Sequence, residues 1–274
     1  MMNQLGQCSA DRRKRLGLTQ QRMADALHVS FQAVSKWENG SSLPDVTLLT
    51  PIARLLQTSV DALLGHQPAP ATDYEQRYQN EEYYWGVQPN RLCYEILQRK
   101  PPVRLCRVLD IGCGEGKDAV FLARNGYQVS AFDIADTGLM KARRLAERLG
   151  LAVDFFKADL MDFRPEGMYD IIFSSGVFHY LPPQKRGDVI NRLKAHTAPS
   201  GLHVINVFVE KPFLPPVPDT EPAETDHPSW KSGELFMHYH DWQLHKTEEI
   251  IFDCQSGGIP HKHCMNVMIA EKPM

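Results

Sequence analysis

The chain has 274 residues, 43% of them hydrophobic, which is enough to bury a sizeable core and to divide into a small and a medium domain. Its net charge of -3 excludes coating of nucleic acid or membrane by bulk electrostatics, so any DNA contact has to be local. Six scattered cysteines, no basic-then-apolar start and no apolar run near the roughly 18 residues of a bilayer span predict free thiols, a cytoplasmic protein and no membrane association.

Up to Leu64 the sequence predicts short helices separated by polar turns. Thr19 can cap QQRMADAL, whose Met23, Ala26 and Leu27 share one helical face, and after His28-Val29 a second cap, Ser30, opens FQAVSKWE. Asn39-Gly40 closes that helix with residues that tolerate left-handed geometry. A third helix is predicted over 46–56 and a short fourth over 59–64. The stretch GHQPAPAT then concentrates Pro, Gly and Ala as an interdomain linker does, giving a first domain at 1–66, a linker at 67–74 and a second domain at 75–274.

From Cys106 onward, short apolar runs (CRVLDI, QVSAFDI, AVDFFKA, YDIIFSS, LHVINVFV) alternate with amphipathic stretches at 117–125, 137–149 and 184–197. That alternation predicts βαβ units and a parallel sheet. A proline-rich stretch at 211–228 is too long for a turn and suits a lid or substrate loop, after which a helix and two final strands are predicted.

The run LTQQRMADALHVSFQAVSKWENGSSLPDVTLLTPIARLLQTSVDALLG resembles the phage-repressor-like (XRE) helix-turn-helix family. The resemblance implies double-stranded DNA as partner of residues 1–66 and a homodimer, with the second helix of the pair in the major groove. It nominates Gln20, Gln32 and Lys36 for base or phosphate contacts and Phe31 for a thymine methyl, with Trp37 in the core. The basic run 12–15 reads as a solvated helix face, and the first helix is polar at Ser9 and Arg12, where the family usually buries aliphatic side chains. Seven Lys and Arg against five Asp and Glu over 1–66 leave +2, a modest charge that keeps protein contact or dimerisation open as the module's role.

The apolar strand ending in Asp110-Ile111-Gly112-Cys113-Gly114-Glu115-Gly116 runs into a glycine-rich turn that opens a helix, where backbone can approach a ligand and amides face an anion. A dinucleotide fingerprint would need glycine at position 117, and Lys117 stands there. The pattern Asp-x-Gly-x-Gly-x-Gly resembles the first motif of class I methyltransferases. That resemblance implies S-adenosyl-L-methionine as cofactor and an α/β, Rossmann-like, seven-stranded, mostly parallel sheet with an antiparallel final hairpin, beside the small all-α helix-turn-helix domain. Asp110 would face the cofactor ammonium, with Gly112, Cys113, Gly114 and Gly116 around it. Asp133, ending the second strand, with Ile134 beside it, would accept the ribose hydroxyls, and Asp159 and Leu160, after the third, would meet the adenine. Each acid could instead cap a helix or sit in a turn. Ser174, Ser175 and Gly176, after the fourth strand, would line the cofactor, and Tyr84 and Trp85 of the aromatic segment 83–86 would cover it unless they pack between domains.

Further on, KSGEL at 231–235, Tyr239, Trp242 and MNVMIAEKP resemble the tellurite-resistance methyltransferase group, which implies a methyl-acceptor histidine at His261 or His263. His179 is a second candidate, because an acceptor that must lose a proton needs a base that titrates near neutrality. The arginines expected near His261 are absent, with Lys262 the only close cation. Paired histidines on one strand face invite a metal, yet no Cys or acid completes the set at motif spacing, so no metal is predicted. The expected enzyme methylates a small-molecule acceptor, such as a thiol or chalcogen species. The alternative is an XRE-type regulator that binds S-adenosylmethionine as an effector without turnover.

Overall fold

The computed structural model describes residues 2–56, 58, 60–64, 73–214, 229–254 and 261–274, in two compact units that divide at Ala71/Thr72. The linker stretch at 65–72 and most of the proline-rich stretch, 215–228, lie outside the described residues.

The first unit holds α1 (Met2–Arg15), α2 (Gln20–Leu27), α3 (Phe31–Glu38), α4 (Leu49–Leu55) and α5 (Val60–Leu63). The predicted caps form: Thr19 Oγ1 accepts from the Arg22 amide at 3.1 Å and Ser30 Oγ from the Ala33 amide at 3.2 Å. His28 takes φ 54° in the tight turn between them. Met23, Val34, Trp37, Ile52, Leu56 and Leu63 form the core, with Trp37 inward as expected. The helix predicted over 46–56 divides into a 3-10 turn, Val46–Leu48, followed by α4. Asp45 Oδ1 accepts the Thr47 amide and tightens the first turn, and Pro51 sits where α4 needs no amide donor.

The basic run is not uniformly solvated. Arg13 turns inward and grips Glu38 through two nitrogens, at 2.6 and 2.9 Å, while donating to the Leu18 carbonyl. Ser9 is buried as well, and the helices approach so closely that a Cβ on Gly6 would strike the Trp37 carbonyl oxygen. Small and hydrogen-bonded groups thus replace the aliphatic contacts that α1 lacks.

The second unit opens with α6 (Asp73–Arg77) and α7 (Arg91–Arg99), then alternates β1 (Arg107–Ile111), α8 (Lys117–Arg124), β2 (Gln128–Asp133), α9 (Asp136–Arg148), β3 (Asp154–Lys157), β4 (Tyr169–Ser175), α10 (Pro183–Ala195) and β5 (Thr197–Val209). It closes with α11 (Glu234–Met237), β6 (Gln243–Cys254) and β7 (His261–Glu271). The seven strands lie in the order β3-β2-β1-β4-β5-β7-β6, and only β7 breaks the parallel run, antiparallel to both β5 and β6. This is the Rossmann-like sheet with a final hairpin that the alternation and the resemblance predict. Alternate strand residues feed two cores: Val108, Val129, Ala131, Ile171 and Phe173 in one, and Leu109, Ile111, Phe132 and Ile172 in the other. The strand order reverses at β1, which opens a crevice beyond the carboxyl ends of β1 and β4, where open α/β sheets bind ligands.

One buried polar chain steadies the second core. The His203 ring meets Thr197 Oγ1 at 2.8 Å and the Tyr239 hydroxyl at 2.7 Å, and burial, with the charges of Lys194 and Lys272, pushes its pKa down to about 3. The unfolded chain takes up this proton below about pH 6.5 while the folded one refuses it, so stability falls as pH drops from 6.5 toward 3. His203→Gln should flatten that limb of a denaturation-versus-pH curve while costing about 1–3 kcal/mol at neutral pH for the disturbed pairing. An unchanged acid limb would show that His203 does not carry it.

Candidate functional site

The glycine turn after β1 takes a shape that side chains cannot follow. Gly112, Gly114 and Gly116 have φ of 69°, 52° and 84°, and a Cβ would strike Val177 at the first, meet the Tyr78 hydroxyl at 2.8 Å at the second and press on Ala142 at the third. The Gly112 and Cys113 amides donate to the Phe132 carbonyl, at 2.8 and 3.0 Å, and tie the turn to β2. Below it Asp110 is 2% exposed, and its Oδ2 has no hydrogen-bond partner among the described residues. Burial and the negative charge of Asp118 hold its pKa well above the usual carboxylate range. A buried carboxylate oxygen with nothing to accept from, under a turn that only backbone can line, fits a ligand whose amino-acid end carries an ammonium. The site's residues therefore suit S-adenosylmethionine.

Asp133 straps the crevice. Its Oδ2 accepts from the Gly114 amide at 2.8 Å and its Oδ1 from the Ala135 amide at 2.9 Å, with the Ile134 amide a further donor to the carboxylate. Burial raises its pKa despite those amides. Ile134 is half-buried beside it. Asp159 behaves as the turn residue the sequence left open: its Oδ1 accepts from the Met161 amide at 2.9 Å and its carbonyl from Phe163. Leu160 and Cys113 are buried, each in a different core. Ser174 Oγ donates to the Ile111 carbonyl at 3.2 Å and braces β4 against β1. Ser175 Oγ accepts from both Asn90 and Asn206, each at 2.9 Å, and Asn206 Oδ1 takes the Gly176 amide at 2.7 Å.

The aromatic segment at 83–86 is fastened to the glycine turn. Lys141, on α9, is buried in an ion pair with Glu115 and also donates to the carbonyls of Asn80 at 2.9 Å and Glu82 at 2.6 Å. Glu115 Oε2 in turn accepts from the Trp85 amide at 3.2 Å. Trp85 Nε1 donates to the Tyr78 hydroxyl, whose ring lies against Gly138 and Gly114. Tyr74 packs against Tyr78, Trp85 and Tyr180, and Tyr84 meets Trp85 edge-on. Glu115, Lys141, Tyr78, Asn90 and Asn206 escaped the sequence reading. Lys141 carried a signal, because it interrupts the apolar stripe of α9 at Leu139, Ala142, Leu145 and Ala146.

Two of the candidate histidines, His179 and His263, flank the Phe208 ring, and His261 lies against His263. His179, 6% exposed, contacts Phe208 at 4.9 Å between centroids, and Phe208 contacts His263 at 4.8 Å on β7. His261 Nε2 lies 2.8 Å from His263 Nε2. Cys254, across the hairpin, joins this pair, with ligand atoms of all three within 4.8 Å of one another. Lys262 alternates to the other face and pairs with Asp253 at 2.6 Å. In the first unit Phe31, Gln32 and Lys36 are exposed on α3, whereas the Gln20 amide donates to Glu38 at 2.8 Å. No described helix is long and apolar enough to cross a membrane.

Residues 108–201 match the methyltransferase domain family and residues 10–63 the helix-turn-helix family. The chain is 31% identical over 174 residues to Hemagglutinin 1 of Eikenella corrodens, covering 61% of this chain and 55% of that protein. It is 27% identical over 185 residues to the probable S-adenosyl-L-methionine-dependent methyltransferase TehB of Haemophilus influenzae, covering 63% of this chain and 62% of that one. It thus spans less than two thirds of the length of either relative. A crystal structure of TehB from H. influenzae superposes with a TM-score of 0.58 at 21% identity, over 74% of this chain and 66% of that one. N-methyltransferase NodS from Bradyrhizobium japonicum WM9, in complex with S-adenosyl-l-homocysteine, does so with 0.55 at 16% identity, over 74% and 98%.

Lys141→Met leaves Glu115 buried without its cation and releases the carbonyls at 80 and 82. It should cost about 3–5 kcal/mol by chemical denaturation. The double variant Lys141→Met/Glu115→Gln should recover a large part of that loss, and equal loss in both would mean that packing, not charge, sets the cost.

Proposed function

From a chain that joins an XRE-type helix-turn-helix segment to a Rossmann-like, S-adenosylmethionine-dependent methyltransferase domain, we infer a cytoplasmic enzyme that methylates a small-molecule acceptor of the thiol or chalcogen class. The observation that carries this reading is the unpartnered Oδ2 of Asp110 beneath the glycine turn. Bound there, the cofactor supplies a methyl group on a sulfonium, which leaves by in-line displacement. Asp110 would hold its ammonium, the amides of 112–116 its carboxylate end, and Asp133 its ribose hydroxyls. Leu160 and the turn at Asp159 would border the adenine, and the amides and hydroxyls at 174–176 the transferring end. The Tyr78, Tyr84 and Trp85 rings exclude water, and alignment of two bound reactants can supply on the order of 7–11 kcal/mol. A soft anionic acceptor then needs little more than a place beside Phe208. For one that arrives protonated, the imidazoles of His179 or His263 touch the same ring, and His261 reaches it through its contact with His263.

The helix-turn-helix unit is assigned to double-stranded DNA through α3, where Phe31, Gln32 and Lys36 face solvent. Gln20, whose Nε2 donates one hydrogen to Glu38, would contribute by positioning α3 or by donating its second Nε2 hydrogen to a phosphate oxygen. A homodimer paired through this unit would suit half-sites about 34–36 Å apart.

Asp110→Asn should weaken S-adenosylmethionine about 10–100-fold by calorimetry, the worth of one charge-assisted hydrogen bond. It should also raise the melting temperature of the ligand-free protein at neutral pH. The folded state keeps the Asp110 proton to higher pH than the unfolded chain does, so this group's burden on stability grows as pH rises above the usual carboxylate range. Full affinity in Asp110→Asn would remove the assignment. Labelled-methyl transfer to a thiol and chalcogenide panel, abolished by Asp133→Ala, tests turnover. Transfer to none of them, together with cofactor-dependent DNA affinity, would identify an effector-binding regulator instead.

Gln32→Ala/Lys36→Ala should abolish salt-sensitive binding to the DNA adjoining the coding region, measured by fluorescence anisotropy. Unchanged binding would take α3 out of the groove.

A further inference from the structure

The β6-β7 hairpin brings Cys254, which the methyl-transfer reading leaves unused, to the two histidines offered there as alternative bases. Cys254 pairs with His261 and Phe252 with His263 in the hairpin register, so period-two alternation puts these four side chains on one face. Asp253 and Lys262, the residues between, pair with each other on the opposite face, so their charges do not enter the cluster. Cys254 Sγ and one nitrogen from each histidine lie within 4.8 Å of one another. His263 is buried, with Phe208 and Phe252 stacked on it at 4.8 and 5.8 Å.

We propose that Cys254, His261 and His263 form a three-ligand site for a thiophilic transition-metal ion of the zinc class. One thiolate and two imidazoles suit zinc, and the set offers no carboxylate or carbonyl oxygen for magnesium or calcium. Three protein ligands leave a fourth tetrahedral position for an exogenous group, the pattern of reactive rather than structural zinc. The geometry is close to ready. Zinc binds nitrogen at about 2.0–2.1 Å and sulfur at about 2.3 Å, which sets ligand atoms roughly 3.3–3.6 Å apart. The two Nε2 atoms, 2.8 Å apart with a proton between them, need only spread by about half an ångström as the metal takes that proton's place. The sulfur closes its gap by a χ1 rotation at a half-exposed residue. The Phe208 and Phe252 rings hold the His263 imidazole in orientation and lower the dielectric around the ion.

Binding stands apart from the methyl-transfer reading. One consequence rests on that reading: a metal on both Nε2 lone pairs makes His261 and His263 ligands, and His179, which also contacts Phe208, remains as the base.

The test is titration of the full chain, stripped by chelator and reduced, with Co²⁺ followed by competition with Zn²⁺. One equivalent should bind with thiolate-to-cobalt charge transfer and intense tetrahedral d–d bands, and zinc should bleach both. Cys254→Ser should remove the charge-transfer band. His261→Ala should weaken the ion by at least the roughly 10–100-fold that loss of even an outer-shell partner costs. Cys254→Ser should keep the wild-type metal-free melting curve, because Cys254 is only partly buried, whereas His261→Ala, which takes the Nε2 partner from buried His263, should lower it by a few degrees. No band at one equivalent, or a band that survives Cys254→Ser and so belongs to another cysteine, overturns the proposal. Loss of methyl transfer with intact cobalt spectra would count against the enzyme reading and leave the metal site standing.

Discussion

The buried ion pair between Lys141 and Glu115 is the constraint on which the crevice depends. Glu115 belongs to the glycine turn and Lys141 to α9, and between them they hold the backbone of 80, 82 and 85. A cation placed among apolar neighbours on α9 is costly to desolvate, and three oxygen contacts, from Glu115 and the carbonyls of Asn80 and Glu82, offset that cost. Because the same nitrogen fixes three chain segments, the aromatic cover and the turn beneath it are set by one charge. Gly138 and Gly114 complete the arrangement by leaving room for the Tyr78 ring, so its hydroxyl can reach Trp85.

Most of the fold was legible because its signals are local. Alternating apolar runs and 3.6-residue stripes gave β1 to β5 and the helices between them, and the motif after β1 located the crevice. The caps Thr19 and Ser30 were readable for the same reason. What escaped reading depends on distance in the sequence. Cys254 stands seven residues before His261, a spacing that fits no ligand motif, yet antiparallel pairing sets them directly opposite. Arg13 looked like part of a solvated run because its partner, Glu38, is 25 residues away. Asn90 and Asn206 reach Ser175 from a helix cap and a neighbouring strand, and nothing in the local pattern of either announces it.

The site residues sort by where their side chains went. Asp110 keeps an unpartnered oxygen beneath the glycine turn, and Asp133 accepts from the Gly114 and Ala135 amides. Asp159 braces its own turn through Oδ1, and Leu160 and Cys113 are buried in the two cores. Gln20 is similarly committed, to Glu38. On α3 itself, Gln32 and Lys36 are left exposed.

On the proposed assignment of Asp110 to the cofactor's ammonium, the buried carboxylate under the glycine turn would tie the lifetime of the polypeptide to metabolism. A group that burdens the fold until a cation meets it makes the loaded form sturdier, by an amount that grows with the logarithm of ligand concentration above its dissociation constant. Proteases that sample the opened chain would then clear it faster in a cell starved of methyl donor. Abundance of this protein would follow donor supply before any gene is switched.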